Sequence, residues 1–190
     1  ALSQFPKDGT TIRIAMVANF FKEKDHWTAI ESFRLFSRKY DDSLLLLAGA
    51  GEERNRIESW VRGLGLRNVT FVGAVENVKA LLIQTDIFLL ASLSEGISIA
   101  VLEAMAMGLP VVASDVGGMR EIITHEVDGV LVPTRDPDTL FKALDELVQK
   151  PMLRKSIGQR AQERVASAFS LHTMTDAYHS LYHELVGPLP

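Results

Sequence analysis

Cysteine is absent from the sequence, which excludes disulfide bonds and thiolate metal sites and fits a reducing compartment. Also missing is any apolar run approaching the roughly 20 residues that span a bilayer, and no signal-peptide pattern opens the chain. Blocks of Lys and Arg are lacking as well. With a formal net charge of −4, generic nucleic-acid binding is excluded, because it needs clustered cations to neutralise phosphates. There is no internal repeat and no low-complexity tract, and no Ser/His/Asp or Asp-x-Asp constellation stands out, Asp136-Pro137-Asp138 reading as a helix start. What the chain does have is bulk: 190 residues, 47% of them apolar, enough to bury a core as one domain or one large lobe. It begins at Ala1 rather than Met, and residues 1–10 read as a linker, so the expectation is a processed product or an excised domain.

Apolar, β-capable runs at residues 12–18, 44–48, 69–72, 87–90, 111–113 and 129–132 predict six short strands. The run at 44–48 is nearly continuous, as in a strand buried on both faces of a parallel sheet. Helical patterns alternate with these runs. Trp27, Ile30, Phe33 and Phe36 share one face; Ile57, Trp60, Val61 and Leu64 form another, ended by Gly63 and Gly65; shorter helical pieces lie at 78–83 and 119–123. Such alternation implies right-handed crossovers and an α/β fold, an open parallel six-stranded sheet with helices on both faces. Ligands of such sheets bind at the carboxyl ends of the strands, so the loops at 19–25, 49–51, 73–77, 93–98 and 115–118 are expected to open on one edge. After Pro133 only helix follows. Asp136 and Asp138 start a helix with Leu140, Leu144, Leu147 and Val148 inward, Pro151 starts another running to about Phe169, and a last one begins at Ser170. Residues 11–169 therefore read as the sheet domain. Residues 170–190 form a helix whose stripe of Leu171, Met174, Tyr178, Leu181 and Leu185 packs on this sheet or on a missing N-terminal domain.

Chemistry concentrates between Ser94 and Pro110, a loop and helix set between two strand-like runs and stopped by Gly108 and Pro110. Glu95 sits beside Gly96, so backbone N–H groups can approach a ligand where the helix begins. Glu103 follows eight residues on, roughly 12 Å away at about 1.5 Å per residue. That span suits a long ligand with hydroxyls at both ends and an anion between, the shape of a nucleotide diphosphate sugar. A carboxylate near a helix start also has a plain electrostatic reading, and Glu103 a solvated one. The apolar flanks Ile97, Ile99, Val101 and Leu102 suggest a helix packed into the domain, where an unpaired carboxylate is costly unless it serves a ligand. Gly49-x-Gly51 has Arg54 at the third glycine position of a dinucleotide fingerprint and reads as a structural turn. His179 and His183, one turn apart without the Glu of a zincin motif, read as solvated or partner-facing, so no metal and no cofactor are expected.

The ordered pattern Glu95-Gly96-Ile97-Ser98-Ile99, Glu103-Ala104, Gly108-Leu109-Pro110-Val111-Val112 and Gly117-Gly118, then Glu121 and Asp128-Gly129, resembles the nucleotide-sugar-binding half of retaining glycosyltransferases of family 4, the group 1 transferases. The resemblance runs from Ile12 to about Leu185. It implies a Rossmann-like fold, the C-terminal of the two domains of GT-B architecture, moving a sugar from a nucleotide diphosphate sugar to a glycan or lipid-linked acceptor. It makes Glu103 the ribose-hydroxyl acceptor, Glu95 the carboxylate at the donor sugar, Gly96 to Ile99 the amides facing the diphosphate, Lys24 the phosphate-binding lysine, and Val75 the contact to the base. Glu95 and Lys24 are the catalytic candidates, with metal-free handling of the phosphates. Where the family places an Arg, five positions before that Lys, this chain has Asn19, which removes a bidentate phosphate donor; the family's Gly after the Lys is Asp25. The resemblance suggests bacterial polysaccharide or glycolipid synthesis, a cytoplasmic setting, and a full-length protein at the inner face of the membrane. A degenerate non-catalytic binding module and half of a sugar-nucleotide epimerase are the alternative readings.

Overall fold

Short runs of Ile, Val, Leu and Phe form the strands, because branched and aromatic side chains suit a pleated surface covered on both sides. The computed structural model describes residues 10–187, so the linker expected at residues 1–10 lies almost wholly outside the described residues. The strands are β1 (Ile12–Val17), β2 (Ser43–Ala48), β3 (Val69–Gly73), β4 (Ile87–Leu90), β5 (Val111–Ser114) and β6 (Val130–Val132). All pair in parallel, in the order β3-β2-β1-β4-β5-β6. The helices are α1 (His26–Lys39), α2 (Arg54–Gly63), α3 (Val78–Leu82), α4 (Ile99–Ala106), α5 (Met119–Ile122), α6 (Pro137–Gln149), α7 (Pro151–Ala168) and α8 (Leu171–Val186). This is the Rossmann-like sheet with a helical C-terminal segment that the sequence predicts, with no strand end shifted by more than one residue.

β4 and β5 are buried at every position, and Phe20, Phe33, Phe36 and Phe88 fill the space between sheet and helices. Outside the sheet, polar ties fasten the helices. Asp145 of α6 takes the Tyr40 hydroxyl at 2.6 Å and the Lys39 ammonium at 2.7 Å, locking the end of α1 against α6. Gly158 lets α7 touch the turn after α4, since a Cβ there would overlap the Gly108 carbonyl. Arg164 of α7 donates to the carbonyls of Glu121 and Ile122, satisfying the end of α5.

α8 begins at its Ser170 cap as predicted, and none of its residues is buried, so its stripe does not pack on this sheet, one of the two alternatives. Two expectations need correction. α4 begins at Ile99, four residues after Glu95, so the helical rise does not measure the Glu95–Glu103 spacing. Nor is the entry to α4 packed inward: Ile97 is 53% and Ile99 65% exposed, while Val101 is fully buried.

Candidate nucleotide-sugar site

Strand order reverses between β1 and β4. The loops leaving these neighbours therefore diverge to opposite faces and leave a crevice at their carboxyl ends. Lys24 follows β1 and Glu95 follows β4, so two side chains 71 positions apart meet there, the Lys24 ammonium 2.6 Å from Glu95 Oε1. The backbone holds the loops in step, because Leu93 N–H donates to the Glu23 carbonyl at 2.7 Å. Lys24 closes a short 3-10 turn, Lys22–Lys24, and Asp25 then takes a left-handed φ of 37°. That conformation favours glycine, which accounts for the family's residue there. Asp tolerates it and also caps α1, accepting from Thr28 N–H at 3.4 Å and from the Thr28 hydroxyl at 2.7 Å.

A cavity of about 390 Å³ opens beside the pair, lined by Asn19 and Lys24, Gly49, Val75, and Glu95, Ile97, Ser98 and Ile99. Its volume suits a small organic ligand. Ser98 occupies the N-cap of α4, but its hydroxyl does not cap the helix and no acid lies in the first turn. The first N–H groups of α4 are left without side-chain partners where Ser98, Ile99 and Ala100 meet the cavity. Asn19 is exposed, and its side chain makes no hydrogen bond among the described residues. The predicted residues thus converge, with two exceptions. Gly96 is exposed beside the cavity rather than lining it, and Glu103 is exposed on the second turn of α4, outside that lining. The burial premise accordingly holds for Glu95, whose side chain is 7% exposed, and fails for Glu103.

Three features escape a reading of spacing alone. Ser92, buried two residues past β4, donates its hydroxyl to Glu95 Oε1 at 2.7 Å, and its own N–H donates to Ser114 Oγ at 3.1 Å. The only sequence signal was a serine three residues before the carboxylate. Gly117 and Gly118 press against the same loop: a Cβ at either would overlap the carbonyl of Glu95 or Gly96, and Gly117 has φ 49°. His26 is buried and stacked on Phe20, ring centroids 4.2 Å apart, with neither nitrogen in a hydrogen bond. Burial pushes its pKa down to about 4, the Lys24 charge adding to this and the Ala18 carbonyl opposing it without closing a bond.

Gly49 and Gly51 are the structural turn predicted for them, with φ 149° and 155° and no room for a Cβ against the carbonyls of Ala18 and Phe20. His179 and His183 bring their Nε2 atoms within 3.2 Å on the exposed α8. Among the described residues no group of three His, Asp or Glu gathers that could hold a metal ion.

The family model described as "Glycosyl transferases group 1" matches residues 2–164. The chain belongs to that family. Among its relatives is the N-acetyl-alpha-D-glucosaminyl L-malate synthase of Bacillus anthracis, 31% identical over 171 residues, covering 90% of this chain and 45% of the relative. The chain therefore spans about half the length of the curated relatives it matches. Its fold matches the C-terminal domain of a group 1 transferase, LpcC, from Francisella tularensis, with a TM-score of 0.78, 26% identity, and coverage of 84% of this chain and 87% of the other. It also matches, at 20% identity and a TM-score of 0.85, a structure of Anabaena HepE in complex with UDP-glucose, covering 92% of this chain and 49% of that one. This is the group 1 domain of GT-B architecture.

Proposed function

We propose that this group 1 domain is the donor-substrate half of a retaining glycosyltransferase that moves a sugar from a nucleotide diphosphate sugar to a glycan or lipid-linked acceptor. The observation that carries the reading is the meeting of Lys24 and Glu95 at the switch-point crevice, beside an α4 amino terminus left uncapped. A diphosphate seated there accepts from the α4 N–H groups and from Lys24, which stabilise the charge growing on it as the sugar leaves. These donors supply the positive charge without a metal ion, so chelator leaves transfer unchanged. Glu95 orients the sugar through its hydroxyls, Val75 flanks the base, and Glu103 reaches the ribose from the exposed face of α4. The acceptor side belongs to the other half of the enzyme, onto which α8 docks. The full-length protein works in the cytoplasm, at the inner membrane face when its acceptor is lipid-linked; no helix among the described residues is long and apolar enough to cross a membrane.

Calorimetric titration of the full-length protein with UDP, GDP and ADP and their glucose esters tests this. Binding of one pair is expected, with glucosyl release or transfer. Removing the Glu103 carboxylate with Glu103→Ala should weaken that nucleotide about 10-fold or more, the worth of a hydrogen bond to a charged group. Exposed Asn19 favours a second reading, a degenerate binding module, because it leaves the diphosphate one bidentate donor short. Absence of binding by every nucleotide would favour that module.

A further inference from the structure

Glu95 uses its two oxygens unequally. Oε1 accepts both the Lys24 ammonium at 2.6 Å and the Ser92 hydroxyl at 2.7 Å, whereas Oε2 accepts no hydrogen bond among the described residues. The two donors differ in kind. Lys24 is a long, flexible cation, 27% exposed at the cavity wall, free to swing toward an anion. Ser92 is 1% exposed, two residues past a fully buried strand, and its backbone is anchored to β5 through Ser114 Oγ. A carboxylate turns readily about its last torsion, so a fixed donor on one oxygen is what aims the other.

Resting on the nucleotide-sugar reading above, we propose that Ser92 is a positioning residue. It holds Glu95 by Oε1 and presents Oε2 to the sugar hydroxyls of the donor, and it keeps doing so once Lys24 turns to the diphosphate. Ser92 thereby contributes to recognition of the sugar and not of the nucleotide.

The test is calorimetry on the full-length protein with UDP and UDP-glucose, or with whichever diphosphate and glucose ester the wild type binds. Ser92→Ala should bind the diphosphate within about twofold of wild type, yet bind the glucose ester about 10-fold more weakly, as for loss of a hydrogen bond to a charged partner. Ser92→Thr, which keeps the hydroxyl, should restore most of that difference. An equal loss for both ligands would mark a merely structural serine and overturn the proposal, as would no loss for either. A wild type that binds neither ligand of any pair would instead defeat the nucleotide-sugar reading, and this inference with it.

Discussion

At the scale of single residues, the loop after β1 sets side chains of opposite character next to one another. Lys24 faces the cavity, while His26, two positions on, is sealed behind Phe20. His26 protonates near pH 4 when folded and near 6.5 when unfolded. Between those values the unfolded chain binds the extra proton, so stability is full above pH 6.5 and falls as the pH drops toward 4, by about 3 kcal/mol at most. Denaturant unfolding followed from pH 7.5 to 4.5 should show that decline. His26→Phe, which keeps the stacked ring and removes the titration, should flatten it, and an unchanged acid limb in that variant would count against the assignment.

At the scale of elements, the loops do the work that the helices cannot. α4 supplies N–H groups, but the carboxylate is placed by the β4–α4 loop, and that loop is pinned from behind by Gly117 and Gly118. In Gly117→Ala, a Cβ at φ 49° overlaps the Glu95 carbonyl and also carries the left-handed cost of roughly 1–2 kcal/mol. Glucose-ester affinity should fall by more than 10-fold, with a lowered Tm, because the loop must move away from Lys24. Retained affinity would mean that the loop accommodates the methyl without displacing Glu95. The glycine pair stood in the sequence pattern as part of a resemblance. Its steric purpose was hidden, because it depends on a loop some twenty positions away folding underneath it.

At the scale of the whole molecule, α8 stands apart. Tyr178, Leu181 and Leu185 are 54%, 47% and 72% exposed, and no residue of the helix is buried. If the stripe docks on the other half of the enzyme, Leu181→Ser with Leu185→Ser should leave the Tm of this 190-residue chain within about 2 °C, as for surface substitutions. The same pair should lower the Tm or the activity of the full-length protein. A clear loss of stability in the short chain would show that α8 packs on this domain after all. If the proposed function holds, the isolated domain should bind nucleotide weakly and transfer no sugar; turnover by these residues alone would contradict the proposal that it is half of a cleft.

Strands, helices, their order, and the convergence of Lys24, Glu95, Ser98 and Val75 on one edge were legible in the sequence. Hydrophobic period and turn chemistry are local, and a parallel sheet turns strand order into a common edge. Only the tertiary structure decided which carboxylate is enclosed, which oxygen of Glu95 is held, and that α8 finds no cover here. Each of those depends on through-space distance between segments remote in the chain, which no periodicity encodes.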